Sequence, residues 1–202
     1  MTSQKPAYVM LEYAKQLFDV IKPEDEVRAA AASHPLTIDF INRLVEDGAV
    51  VDAIRYLAVA ITKRQAIWWS VATHTKLKDL GASINPQEDA AWSLVREWVY
   101  SPTEEIRTKA LKTAEDLEFQ TPGAYAALAV FWSGGSMLPP ETGEMLLPPP
   151  QLSGTAVGAS ILLICASGKP NETIRRQNEA IAIGLDIARG GNGLERNGGA
   201  EK

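Results

Sequence analysis

The stretch from Thr155 to Ala166, TAVGASILLICA, carries no charge and is apolar on every side of a helical projection. A helix of that kind is covered by other elements, so the chain has to build a body around it. Its apolar run, from Ala156 to Ala166, is too short to span a bilayer. Gly154 and Gly158 stand a turn apart at its start and let a neighbour approach closely, although that spacing has its special meaning mainly in membranes.

The elements that would cover it also read as helices. No stretch sustains a two-residue alternation, and β-branched residues do not cluster between turn signals. A first helix is predicted from about Ala7 to Ile21, with Val9, Tyr13, Leu17 and Val20 at helical spacing. KPEDEVRAAAASH follows, its early acids suited to a helix N-terminus. Pro35 closes that helix. Thr37 is placed to cap the next, which carries Ile38, Ile41, Leu44 and Val45 on one face and stops at Gly48. From Ala49 the chain continues through a break near Thr62 into a helix ending at Gly81.

Three later starts share one design: NPQE at Asn85, SPTE at Ser101 and TPGA at Thr121. Each sets a capping side chain before a proline, which loses nothing at the first helical position because that amide is unpaired anyway. Glu88 and Glu104 complete a capping box in the first two. Gly168-Lys169-Pro170-Asn171 reads as a helix stop, with Asn171 capping the last helix. The expected fold is all-α. It is a single-domain helical bundle, or a short helical-repeat-like stack, of about nine helices over residues 1–189. A proline-rich loop at 133–153 interrupts it, and a glycine-rich, charged tail at 190–202 is expected to be disordered.

Composition removes several functions. The chain has 202 residues and a net charge of −5, which argues against a general nucleic-acid binder. The only cysteine, Cys165, lies in the apolar stretch, so no internal disulfide forms and a reducing cytoplasm is expected. The N-terminus does not read as a secretory signal, and neither membrane insertion nor a cofactor is expected. His34 and His74 are the only histidines, too few beside one apolar cysteine for a zinc site. ASGKPNET, residues 166–173, lacks the first glycine and the Ser or Thr of a phosphate-binding loop, and WSGGS at Trp132 lacks the nucleophile-elbow pattern. Acid clusters at Glu24-Asp25-Glu26 and Glu46-Asp47 read as a helix start and a solvated face. No catalytic or metal-binding residues are assigned.

Two features remain. Trp68 and Trp69 follow Lys63 and Arg64 in a helix with little polar face, and their rings diverge by about 100°. The pair reads as core, with one ring reaching the surface by its edge. The other reading lines a groove with a ring, since Trp and Arg are enriched in binding hot spots. The second feature is MLPPETGEMLLPPPQL, which carries Met137, Leu138, Met145, Leu146, Leu147 and Leu152 among prolines. Long loops in compact domains are often functional, and this one is too apolar for a flexible linker. Either its side chains fasten it over its own helices, or part of it presents apolar residues to a partner.

The run Lys63-Arg64-Gln65-Ala66-Ile67-Trp68-Trp69 resembles the central Lys-Arg-x-Ala-x-Trp-Trp signature of an uncharacterised family of bacterial helical proteins. Members of that family are associated with secretion genes, type VI systems among them. The resemblance implies no catalytic residues. The expected function is therefore a non-enzymatic cytoplasmic adaptor, accessory factor or chaperone binding another protein, such as a secretion component or effector. Its expected contact residues are Lys63, Arg64, Trp68, Trp69, Trp132, Met137, Leu138, Met145, Leu146 and Leu147. The alternative is an enzyme with a cryptic carboxylate-based or cofactor-dependent site. A deep polar pocket with paired buried acids would favour the enzyme, and a shallow apolar groove under residues 137–152 the adaptor.

Overall fold

The uniformly apolar segment becomes α9 (Leu152–Ala166), and four helices surround it in the computed structural model, which describes residues 6–78, 82–83 and 85–194. These are α4 (Val50–Ala60), α5 (Lys63–Lys78), α8 (Pro122–Phe131) and α10 (Thr173–Ala188). The remaining α-helices form an outer layer. α6 (Asp89–Tyr100) and α7 (Glu104–Asp116) pack on α8, α3 (Thr37–Glu46) packs on α4, and α2 (Asp25–Ser33) packs on α3. The short α1 (Ala14–Leu17) touches α4. The fold is all-α and single-domain, with no strand among the described residues. The two hydroxyls that α9 buries are both satisfied by α8: Ser153 donates to the Ala129 carbonyl and Ser160 to that of Pro122, each at 2.8 Å. A buried polar group without a partner would be costly, so these two bonds let a polar residue sit in a central helix.

Several local expectations hold. Gly48 ends α3 in a left-handed conformation (φ +80°), where only glycine is unstrained. The break near Thr62 falls between α4 and α5. Thr121 caps α8 by accepting the Ala124 amide, with Pro122 in the first turn. The expected stop at Gly81 lies outside the described residues.

Others are corrected. Of the helix expected over Ala7–Ile21, only Ala14–Leu17 forms. The α4–α5 break leaves backbone groups that the N-terminal segment takes up. Met10 N–H donates to Ala60 O at 2.8 Å, and Thr62 N–H donates to Tyr8 O at 3.0 Å. Thr37 is not a cap but the first residue of α3. Its amide and hydroxyl donate to the Glu12 and Leu11 carbonyls, tying the N-terminal segment down. Thr103, rather than Ser101, caps α7. Asn85 does accept the Gln87 amide, but Glu88 does not close the box; its carboxylate accepts the Gly123 amide at 2.5 Å. Glu88 thus serves the N-terminal end of α8, where free amides and the helix dipole favour a negative charge. Asn171 makes no cap and lies in a 3-10 turn, Pro170–Glu172, ahead of α10.

Candidate binding surface

α5 sorts the Lys-Arg-Trp-Trp run by helical direction. Trp69 points inward and is 0% exposed, its indole N–H donating to Ala180 O of α10 at 2.8 Å. Gly184 of α10 lies against its six-membered ring, so closely that a Cβ there would stand 2.5 Å from ring carbons. Trp69 therefore offers no surface to a partner. Trp68, half-buried, donates its N–H to Asn192 O at 2.9 Å and meets the exposed Tyr100 ring edge-on at 6.1 Å. The asymmetry expected of the pair is present, with one ring core and the other at the rim.

The two cations bridge elements. Arg64, exposed on the same side of α5 as Trp68, donates from Nε to Val99 O near the end of α6. Lys63 donates from Nζ to Ser133 O at 2.9 Å, which fastens the start of the proline-rich loop to α5. Burial pushes the Lys63 ammonium below its ordinary range.

Arg107 is the loop's deeper anchor, and nothing in its sequence neighbourhood marks it. Only 4% exposed, it donates from Nη1 to Phe131 O at 2.7 Å and from Nη2 to Ser136 O at 3.0 Å. Glu104 takes two more of its bonds, at 2.6 and 2.7 Å, and is held below the usual carboxylate range by them. The guanidinium also lies over the Phe131 ring and packs so tightly on Gly135 that a Cβ there would stand 2.7 Å from Nε. A planar cation with several fixed donors suits this task of collecting backbone carbonyls from two elements.

With its start fixed, the loop divides in two. Trp132, Met137 and Leu138 are half-buried, and Trp132 and Met137 pack on the core. Met145, Leu146 and Leu147 are exposed, at 77, 49 and 61%. Leu146 is held from beneath by its backbone. Its N–H donates to Ser136 Oγ at 3.2 Å, and its carbonyl accepts the Met137 amide at 2.7 Å. The same hydroxyl accepts the Leu138 amide at 3.0 Å, so Ser136 clamps both arms of the loop. Pro148, next in the chain, is buried and anchors the far end. Three adjacent large apolar side chains thus stand in water on a fastened backbone. The sequence singles out the apolar residues of this loop without separating the exposed from the half-buried, and it does not mark Arg107, Ser136 or Tyr100. Residues 190–194, at the head of the segment expected to be a disordered tail, turn back on α10 through Gly193 N–H to Asp186 at 2.9 Å.

Elsewhere, two open clefts do not include the loop. One, of about 350 Å³, is lined by Tyr13, Lys15, Phe18, Arg28 and Pro35 among others. The other, of about 250 Å³, lies between α6 and α7 around Leu94, Thr103 and Lys109. A third is a small recess of about 10 Å³ with mixed polar and apolar lining, beside His74, Glu88 and Trp92. Glu88 is the only buried acid among the described residues, and no group of three or more His, Cys, Asp or Glu there could hold a metal. No helix among them is long and apolar enough to cross a membrane.

His74 stacks on Trp92 with ring centroids 4.1 Å apart. Burial, then the nearby Arg96 and Lys78, push its pKa down to about 4, against a smaller opposing effect of Asp89. The unfolded chain, titrating near 6.5, binds this proton more readily than the folded one. Stability from this group is therefore complete above pH 6.5 and lost as pH falls toward 4. After allowance for solvent screening the loss is about 1–2 kcal/mol. Urea unfolding at a series of pH values should show this slope, and His74→Gln should remove it. An identical slope in the variant would contradict the assignment.

No curated protein and no solved structure matches the chain. Residues 40–188, from α3 through α10 and including the whole proline-rich loop, match the family of unknown function DUF6931, and the chain belongs to that family.

Proposed function

We propose that the protein is a non-enzymatic cytoplasmic adaptor, accessory factor or chaperone that holds another protein on its proline-rich loop. The observation that carries this reading is the exposed run Met145-Leu146-Leu147 on a backbone fixed by Ser136, Met137 and, through them, Arg107. A segment that served only to close the chain between α8 and α9 would gain by turning those side chains inward. Burial of each is worth roughly 1.5–3 kcal/mol. Leaving them in water on a fixed frame loses that energy unless a partner recovers it. Preorganisation also lowers the entropy lost on binding. Arg64, Trp68 and Tyr100 form a second surface of hot-spot composition at the α5–α6 corner. The bacterial host and service to a secretion system, type VI included, follow from the resemblance of the Lys63–Trp69 run and are part of the proposal.

The test is affinity purification of the tagged protein from its own host, with mass spectrometry, beside a variant lacking residues 139–150. A specific protein should accompany the intact chain and vanish with the deletion. Circular dichroism of the variant should keep its helicity, because the deleted residues lie outside the α-helices. The same companions with and without the loop, or none with either, would overturn the proposal.

A further inference from the structure

The exposed run has unpaired main-chain groups as well as exposed side chains, and what they imply rests on the loop-binding reading above. Residues 143–149 contain no helix, turn or bend. Leu146 directs both its backbone groups inward, to Ser136 and Met137. In a strand-like run, successive residues direct their N–H and C=O groups to alternate sides. Met145 and Leu147 accordingly direct theirs outward. No hydrogen bond within the described residues uses the amide or carbonyl of either one. The side chains of these two residues share one face, and they are the most exposed of the three.

This is a short open backbone edge, outside any strand of the described residues. Proteins guard such edges with lysine, proline or inward-pointing charge, because an open edge pairs with any extended chain. Residues 145–147 carry none of these. Prolines stand just outside instead, at 139, 140 and 148–150, with Gly143 in a left-handed backbone conformation (φ +66°) on the near side. The edge is kept short but left usable.

Charge selects the occupant. Between residues 133 and 151 the only ionisable side chains are Glu141 and Glu144, both exposed, and the whole chain carries −5. A second copy would bring the same acids against one another. A basic segment would not. We propose that the backbone edge at Met145 and Leu147 takes up an extended, basic peptide segment of another protein as an added β-strand. Its alternate apolar side chains pack on Met145 and Leu147, and its lysines or arginines face Glu141 and Glu144.

The test follows backbone amides of the full chain by NMR. The probe is a short synthetic peptide alternating lysine and valine, titrated to about millimolar concentration. The Met145 and Leu147 amides should shift and gain exchange protection, whereas the Leu146 amide, already bonded, should gain none. Affinity should fall by about tenfold or more for a peptide N-methylated at alternate residues, for one with glutamate in place of lysine, and for Met145→Pro, which removes an outward N–H. Unmoved amides, or equal binding of the N-methylated peptide, would overturn strand addition. Equal binding of the glutamate peptide would overturn the basic partner. Concentration-dependent dimers that protect the same amides without peptide would give the edge to a second copy and overturn it too. A host protein lost on loop deletion, combined with a failed peptide test, would leave loop binding standing and remove strand addition alone. Failure of both experiments would remove both.

Discussion

Trp69→Ala is expected to destabilise the fold by about 3–5 kcal/mol, the range for truncating large core aromatics. The ring is fully enclosed between α5 and α10, its N–H is spent on Ala180 O, and Gly184 leaves no slack against it. Alanine would open a cavity and strip the Ala180 carbonyl of a donor at the same time. Trp68→Ala, one residue away, removes a half-buried ring, an N–H bond to Asn192 and an edge contact with Tyr100. Those rim interactions are worth about 1–2 kcal/mol together. Urea titrations followed by circular dichroism would measure both. Domains have only about 5–15 kcal/mol in all, so the Trp69 variant should sit near the edge of folding while the Trp68 variant folds normally. Equal losses would show that the two rings are not divided between core and rim. The Trp68 variant is then the one suited to binding assays at the α5–α6 corner, because its fold survives.

That division could be read from sequence because adjacent helical residues diverge whatever the tertiary fold. The central place of α9 was legible for a similar reason, since a helix with no polar side has nowhere else to go. The caps show where this kind of reading fails. Thr121 was found, but Thr103 competes with Ser101 two residues earlier, and both are good capping residues. Glu88 had the right spacing for a box and was drawn off by the Gly123 amide, far along the chain. The N-terminal segment had helical spacing and lost it to carbonyls and amides at the α4–α5 break. Arg107 and Ser136 escaped notice for the same reason. Their partners are backbone groups, and a sequence does not mark which carbonyl will stand near which side chain. The apolar content of the loop was therefore visible. Which three of its side chains stay in water was not, because a single hydroxyl at Ser136 sets the geometry.

The two glycines that open α9 give an opposed pair of expectations. At Gly154 an added Cβ would stand 2.5 Å from the Ala58 carbonyl oxygen and 2.9 Å from the Val59 Cα, both backbone atoms of α4. Backbone cannot rotate away as a side chain would, so Gly154→Ala must push two central helices apart. Overpacking of this kind costs about 1–3 kcal/mol. At Gly158 the nearest atoms, the Arg55 Cα and the Ala58 Cβ, would lie 3.7 and 3.8 Å from the new Cβ, which is ordinary contact. Alanine there keeps the packing and recovers the helix propensity that glycine forfeits, up to about 1 kcal/mol. Thermal melts should therefore move in opposite directions, down for Gly154→Ala and up or unchanged for Gly158→Ala. Of the two glycines, then, Gly154 is required by the contact and Gly158 is only permitted by it. A drop of similar size in both variants would mean that α4 and α9 approach along the whole seam. A neutral Gly154→Ala would mean that the close contact beside Ala58 relaxes in solution.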